Sequence, residues 1–371
     1  MRIAVPTEVK NNEFRIAITP VGVHELTRRG HEVYVQAGAG AGSSFTDEEF
    51  TAQGARIVEG AEATWAAGEM VLKVKEPIES EYRFLTSDQV LFTYLHLAAD
   101  RPQTEALLGA GTTAIAYETV QRDDGSLPLL SPMSEVAGCL APQVGAAHLM
   151  KAAGGRGVLF GCVGGVQKAK VVVLGAGTAG QNAARIALGM GADVTILDVD
   201  LRKLHRIIWD FDNRIQGLAS TALAVREQVL AADLVIGTVL IPGAKTPKLV
   251  TDDMVAAMKP GSVLVDVAID QGGCFEDSRP TTHADPTFPV HDSVFYCVAN
   301  MPGAVPNTST QALANATLPF AIQLADKGWK QALRDDHALA LGLNAHAGRL
   351  VFAGVGEALG METTPLESVL V

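Results

Sequence analysis

Val-Val-Val-Leu-Gly-Ala-Gly-Thr-Ala-Gly, residues 171–180, is followed eighteen residues beyond its last glycine by Asp198, which closes the next apolar run. The first four residues read as a buried strand. Gly175 permits a tight turn, Gly177 lets the backbone approach a pyrophosphate, and Gly180 lets the following helix pack closely on the sheet. A helix starting there offers unpaired N–H groups and a favourable dipole to phosphates. Asn182, Ala183, Ala184, Ile186 and Ala187 continue at helical spacing, and residues 192–197 form a second strand with Asp198 at its carboxyl end. That carboxylate can accept both ribose hydroxyls and would repel a 2′-phosphate, so the expected cofactor is NAD rather than NADP. Arg202 and Lys203 nearby pull the other way. Glycines alone could be a flexible turn; strand, helix, second strand and acid in register make a dinucleotide site.

The chain has 371 residues, too many for one ordinary core, so two domains are expected. Its 48% hydrophobic content, 37 glycines and few aromatics suit an α/β enzyme with tight turns. A net charge of −12 argues against nucleic acid or an anionic membrane as partner. Cys139, Cys162, Cys274 and Cys297 show no Cys-x-x-Cys spacing, which indicates neither zinc nor a disulfide framework but reduced thiols in the cytoplasm. The apolar stretch at the N-terminus is too short for a signal peptide, and no run approaches the roughly 20 residues that span a bilayer. A soluble chain is expected.

Strands are expected at residues 3–5, 31–36, 70–74, 90–95 and 112–116, with a helix from 19 or 20 to 29. Alternation of this kind gives a parallel sheet covered by helices. Residues 121–128 are turn-rich. Ser134 then reads as the N-cap of a long helix to Lys151, kinked by Pro142. Later strands are expected at 171–174, 192–197, 234–238, 263–267 and 294–298. Helices at 310–327 and 346–359 leave too little strand for a third sheet, so this tail should return to the first domain. The expected fold class is therefore α/β, with two Rossmann-like doubly wound parallel-sheet domains and a cleft between them. Residues 1–128 plus 307–371 would form the substrate domain, and 129–306 the NAD-binding domain.

In open α/β sheets ligands lie beyond the carboxyl ends of strands, so a charged residue just past an apolar run is a candidate. Arg15 can grip a carboxylate with its planar fork, or it is a surface arginine paired with Glu13 or Glu8. Lys75 and Lys73 share a face of the expected strand, either as functional buried ammoniums or as solvated lysines on an edge. His96 ends Phe-Thr-Tyr-Leu-His and is either a proton-exchanging group or a satisfied core histidine. Asp270 follows the 263–267 run and would face the nicotinamide end of the cofactor, whereas Asp266 within that run could be structural. Converging on one cleft, these residues suit hydride transfer to or from a small carboxylate substrate.

Segments 6–20, 72–77, 132–138, 267–274 and 297–303 closely resemble signatures of the alanine dehydrogenase family, which also contains the transhydrogenase alpha subunits, and the likeness runs along nearly the whole chain. The resemblance implies that Arg15 and Lys75 bind the substrate carboxylate and carbonyl region, and that His96 and Asp270 are the acid–base pair. For NAD it implies contacts from Ser134, Thr178, Ala179, Asp198, Lys203, Ser220, Val239, Leu240, Val267, Asp270, Arg279, Val298, Asn300 and Met301. It further implies reversible oxidative deamination of L-alanine to pyruvate and ammonia by a homohexamer. Some members carry a histidine near a peripheral metal site where Lys327 stands here, so no metal is expected. Two alternatives are the NAD-binding subunit of a proton-translocating transhydrogenase and a dehydrogenase of another small amino acid. The absence of a spanning run and the presence of His96 weigh against the first.

Overall fold

The computed structural model describes residues 1–239 and 246–371, which divide into two compact units: residues 1–133 with 305–371, and residues 134–304. In the first unit the parallel strands are β1 (Arg2–Val5), β2 (Glu32–Gln36), β3 (Arg56–Val58), β4 (Met70–Leu72), β5 (Val90–Thr93) and β6 (Thr113–Ala116). The C-terminal stretch adds the antiparallel strands β14 (Leu343–His346) and β15 (Arg349–Leu350). The sheet order β15-β14-β6-β5-β4-β1-β2-β3 places the reversal of winding between β1 and β4. Loops leaving those two strands therefore diverge and open a crevice at the sheet's carboxyl edge.

The second unit carries β7 (Lys170–Leu174), β8 (Asp193–Asp198), β9 (Gln216–Ala219), β10 (Leu234–Gly237), β11 (Val263–Asp266), β12 (Thr287–Val290) and β13 (Ser293–Tyr296). Their order is β12-β13-β11-β10-β7-β8-β9, with only β12 antiparallel and the reversal between β7 and β10. Along β7, Val171 and Val173 enter one apolar core while Val172 and Leu174 enter another. A period of two feeding two cores is what a sheet covered on both faces requires.

Both sheets are thus mixed, with mostly parallel strands and flanking helices, which is the expected α/β class of two doubly wound domains; the antiparallel strands are β12, β14 and β15. The helix expected from residue 346 begins only at Ala353 and runs to Leu359. Ahead of it Ala347 and Gly348 both have positive φ, 50° and 77°, and His346 pairs with Arg349 across them. Two left-handed residues between paired strands make a tight hairpin, and this turn overrides the helical spacing. The helix assigned to a Ser134 N-cap starts earlier, at Ser131, and ends at His148, not Lys151. Pro132 accounts for the start, because proline suits a first helical turn where no N–H is needed. Pro142 stands inside this helix, which is helical on both sides of it. β4 stops at Leu72, so Lys73 and Lys75 lie beyond the strand, and β4 is central, not an edge.

Candidate functional site

At the carboxyl edge of the first sheet, β1, β4, β5 and β6 each release a loop carrying a charged group. Arg15 follows β1 and is only 2% exposed. Its Nε and Nη2 donate to the two carboxylate oxygens of Glu13 at 2.6 and 2.5 Å, and Nη1 lies 3.0 Å from Met133 Sδ. The pairing with Glu13 is the one weighed from sequence, but the arginine is buried, not on the surface. A buried guanidinium anchored by a carboxylate is held rigid, and rigidity is what a carboxylate clamp needs.

Lys73 and Lys75 separate into different roles. Lys73 is fully buried, and its Nζ donates to Glu8 at 3.1 Å and to Glu81 at 2.9 Å. Glu8 also accepts the backbone N–H groups of Val74 at 2.6 Å and Lys75 at 3.4 Å. This triad staples the β1 loop to the β4 loop, leaving the half-buried Lys75 on a segment fixed through its backbone. Burial pushes the Glu8 carboxyl above its ordinary value, with Lys73 working against it. Burial opposes the charge on Lys73, yet Glu8 and Glu81 outweigh it and keep the ammonium protonated. Glu76 is bonded to Lys10. Burial alone would raise its carboxyl, but Lys75, His96 and Lys10 outweigh burial and hold it below its ordinary value.

His96 leaves β5 in the left-handed region, with φ 51° and ψ 34°. Its ring lies parallel to that of Tyr94, with centroids 5.8 Å apart and planes within 6°. Glu118, in the turn after β6, receives the N–H of His96 at 2.6 Å. Glu8 and Glu118 were not singled out from sequence as site residues. Each is a charged residue just past an apolar strand, so the rule that found Lys75 and His96 would have found them too.

The second unit collects the residues implied for the cofactor along one carboxyl edge. Gly175, Gly177, Thr178, Ala179 and Gly180 follow β7; Asp198 ends β8; Ser220 follows β9; Val239 follows β10; Val267 and Asp270 follow β11; Val298, Asn300 and Met301 follow β13. Leu240 lies outside the described residues. Gly175 has φ 101°, and a Cβ on Gly180 would stand 1.9 Å from the Gly175 carbonyl oxygen, so neither position admits a side chain. The helix Thr178–Gly189 begins at Gly177 with no side-chain cap, leaving its first N–H groups directed beyond the strand end. Asp198 accepts the N–H of Ala176 at 2.6 Å and of Asp200 at 2.8 Å, so it also fixes the glycine turn. A carboxylate offers about four acceptor positions, and two remain for ribose hydroxyls. These features fit a dinucleotide.

Ser134 lies in the first turn of its helix, Lys203 is exposed on the helix Leu201–Asp210, and Arg279 stacks its guanidinium 4.0 Å over Phe288. Asp266 is buried and accepts the N–H groups of Ala268 at 3.1 Å and Cys274 at 3.0 Å and the Ser278 hydroxyl at 2.5 Å. It is therefore the staple of the loop that carries Asp270. Asp270 itself is exposed in the short helix Ile269–Gln271, and its carboxylate makes no hydrogen bond among the described residues. Lys327 pairs with Asp335 at 2.6 Å.

Comparison with known proteins covers nearly the whole chain. Residues 4–137 match the profile described as "Alanine dehydrogenase/PNT, N-terminal domain", and residues 141–353 match its C-terminal counterpart. A curated alanine dehydrogenase of Mycolicibacterium smegmatis is 62% identical over 364 residues, 98% of each chain. A solved L-alanine dehydrogenase superposes with TM-score 0.94 at 49% identity, covering 97% of this chain and 99% of the other. A transhydrogenase from Sinorhizobium meliloti gives TM-score 0.83 at 28% identity, covering 95% and 100%. Similarity is thus greater to dehydrogenases than to that transhydrogenase, in sequence and in fold.

Proposed function

The chain belongs to the alanine dehydrogenase/PNT family, and on that premise we propose that it catalyses the reversible oxidative deamination of L-alanine to pyruvate and ammonia with NAD. It is an oxidoreductase with a nucleotide cofactor. The observation that carries the reading is the cluster of a buried arginine fork, a lysine and a histidine on three adjacent loops of one sheet edge, the pattern a small 2-oxo or 2-amino acid requires. Arg15 and Lys75 hold the carboxylate and carbonyl region and so fix Cα in one orientation, which removes most of the entropic part of the barrier. The uncapped helix start at Gly177 and the Asp198 carboxylate would hold the cofactor, which when bound would supply hydride acceptance from Cα. His96 takes and returns protons as water adds to the resulting iminium carbon and ammonia leaves. Asp270 orients that water through its carboxylate. A cytoplasmic homohexamer is proposed on the likeness to alanine dehydrogenases alone; the four cysteines are free thiols, and no described helix is long and apolar enough to cross a membrane. Light scattering in solution checks the assembly.

The deciding assay is NADH oxidation with pyruvate plus ammonium, run beside glyoxylate and larger 2-oxo acids. Pyruvate should be the preferred acceptor, and no turnover with any of them would sink the assignment. The NAD preference has its own test in Asp198→Ala. That change removes two acceptors from the ribose and the repulsion of a 2′-phosphate, and it frees the Ala176 amide. With charge-assisted hydrogen bonds worth ~1.5–3 kcal/mol, the KM for NAD should rise about tenfold or more while NADP becomes usable. Unchanged discrimination between the two would place selectivity elsewhere.

A further inference from the structure

We propose that Glu118 is a positioning residue for the reaction, acting through the backbone of His96; the proposal rests on the reading of His96 as the proton-exchanging group. Its carboxylate receives two consecutive amides: Oε1 lies 2.6 Å from His96 N and 3.2 Å from Leu95 N, and Oε2 lies 3.2 Å from Leu95 N. Hydrogen bonds from N–H to an ionised carboxylate are about twice as strong as neutral ones. They fall where the chain is strained, because a histidine at φ 51° and ψ 34° occupies a region that favours glycine. Such a conformation costs on the order of 1–3 kcal/mol and persists only where its surroundings impose it.

The surroundings here are specific. Tyr117, beside Glu118, is buried edge-on to Phe92 at 4.5 Å and to Tyr94 at 5.1 Å, which ties the end of β6 to the end of β5. Thr119, on its other side, receives a hydrogen bond from Asn344 at 2.8 Å. The buried Gln103 donates to the Leu95 carbonyl at 3.0 Å, so the peptide ahead of His96 is held from both faces. The Glu118 carboxylate therefore arrives from a neighbouring strand already fixed in place. The distance from Oε1 to His96 Nδ1 is 4.0 Å, too long for a hydrogen bond. Glu118 thus sets where the imidazole sits, and it does not relay its proton.

Two conservative variants of the full-length protein separate position from charge. Glu118→Gln removes the charge but leaves a carbonyl oxygen able to accept both amides; Glu118→Asp keeps the charge and withdraws it by one methylene. With pyruvate, ammonium and NADH, kcat should fall less than about tenfold in Glu118→Gln. It should fall about a hundredfold in Glu118→Asp, the scale of a 1 Å misplacement, with NADH affinity by fluorescence titration unchanged in both. In a His96→Ala background Glu118→Asp should produce no further loss. The reverse order of the two variants, or an equal loss with and without His96, would overturn the positioning role. Full turnover in His96→Ala alone would instead remove the reading of His96 on which the role rests.

Discussion

His96→Ala is expected to lower kcat for pyruvate amination by about 10²- to 10⁴-fold, the usual contribution of a positioned acid–base group, while leaving NADH binding intact. The residues that fit a dinucleotide belong to the second sheet, whereas His96 belongs to the first. The same position offers a sharper contrast in His96→Gly. Its side chain is 40% exposed, so truncation forfeits little packing. Its left-handed backbone is one that glycine adopts without penalty and other residues adopt at about 1 kcal/mol or more. His96→Gly should therefore be at least as stable to urea as the natural protein and yet as inactive as His96→Ala. A stability optimum and an activity optimum that diverge at one residue mark a side chain retained for chemistry. Activity within threefold of the natural protein in either variant would contradict the acid–base role.

Where an interaction is local in sequence, the fold could be read directly. The run at 171–180 with Asp198 placed β7, the helix start and β8, because a strand, a positive-φ glycine and a close glycine contact have local signatures. The strand-end rule likewise brought Arg15, Lys75 and His96 to loops leaving one sheet edge. Long-range features escaped. β3, β9 and β12 are short strands whose pairing depends on neighbours already in place. The Ala347-Gly348 hairpin forms because β14 pairs with β6, more than two hundred residues earlier, so helical spacing in the same stretch was misleading. Carboxylates were the main omission at the site. The partners of Lys73 lie 65 and 8 residues away, and Glu118 bonds amides 22 and 23 residues earlier. A glutamate's role here is to receive backbone N–H groups, and nothing in the local sequence shows which ones.

Lys73→Met is expected to destabilise the protein by about 3–5 kcal/mol near neutral pH, because it leaves Glu8 and Glu81 buried without their cation. Removing all three charges together should cost far less. In Lys73→Met with Glu8→Gln and Glu81→Gln no buried charge is left without a partner, and the amide oxygen at position 8 can still accept the Val74 N–H. The pH dependence has a definite sign. Glu8 titrates above its unfolded value, so the folded state binds the extra proton and stability falls as pH rises through the folded pKa. Lys73 is also raised, so its contribution is complete below its unfolded value and is lost only as strongly alkaline pH passes the folded one. Below strongly alkaline pH the lysine is thus a constant, and within the triad the pH dependence comes from Glu8. Deleting the lysine removes the influence that lowers Glu8, moving its protonation to still higher pH. The gap between variant and natural protein in urea unfolding should be smallest at the acid end of the folded range and widen as pH rises. A gap below about 1 kcal/mol, or one that does not change with pH, would mean that the triad is not the ionic staple its geometry describes. Since Glu8 also holds the Lys75 amide, Lys73→Met should raise the KM for pyruvate even where the protein remains folded.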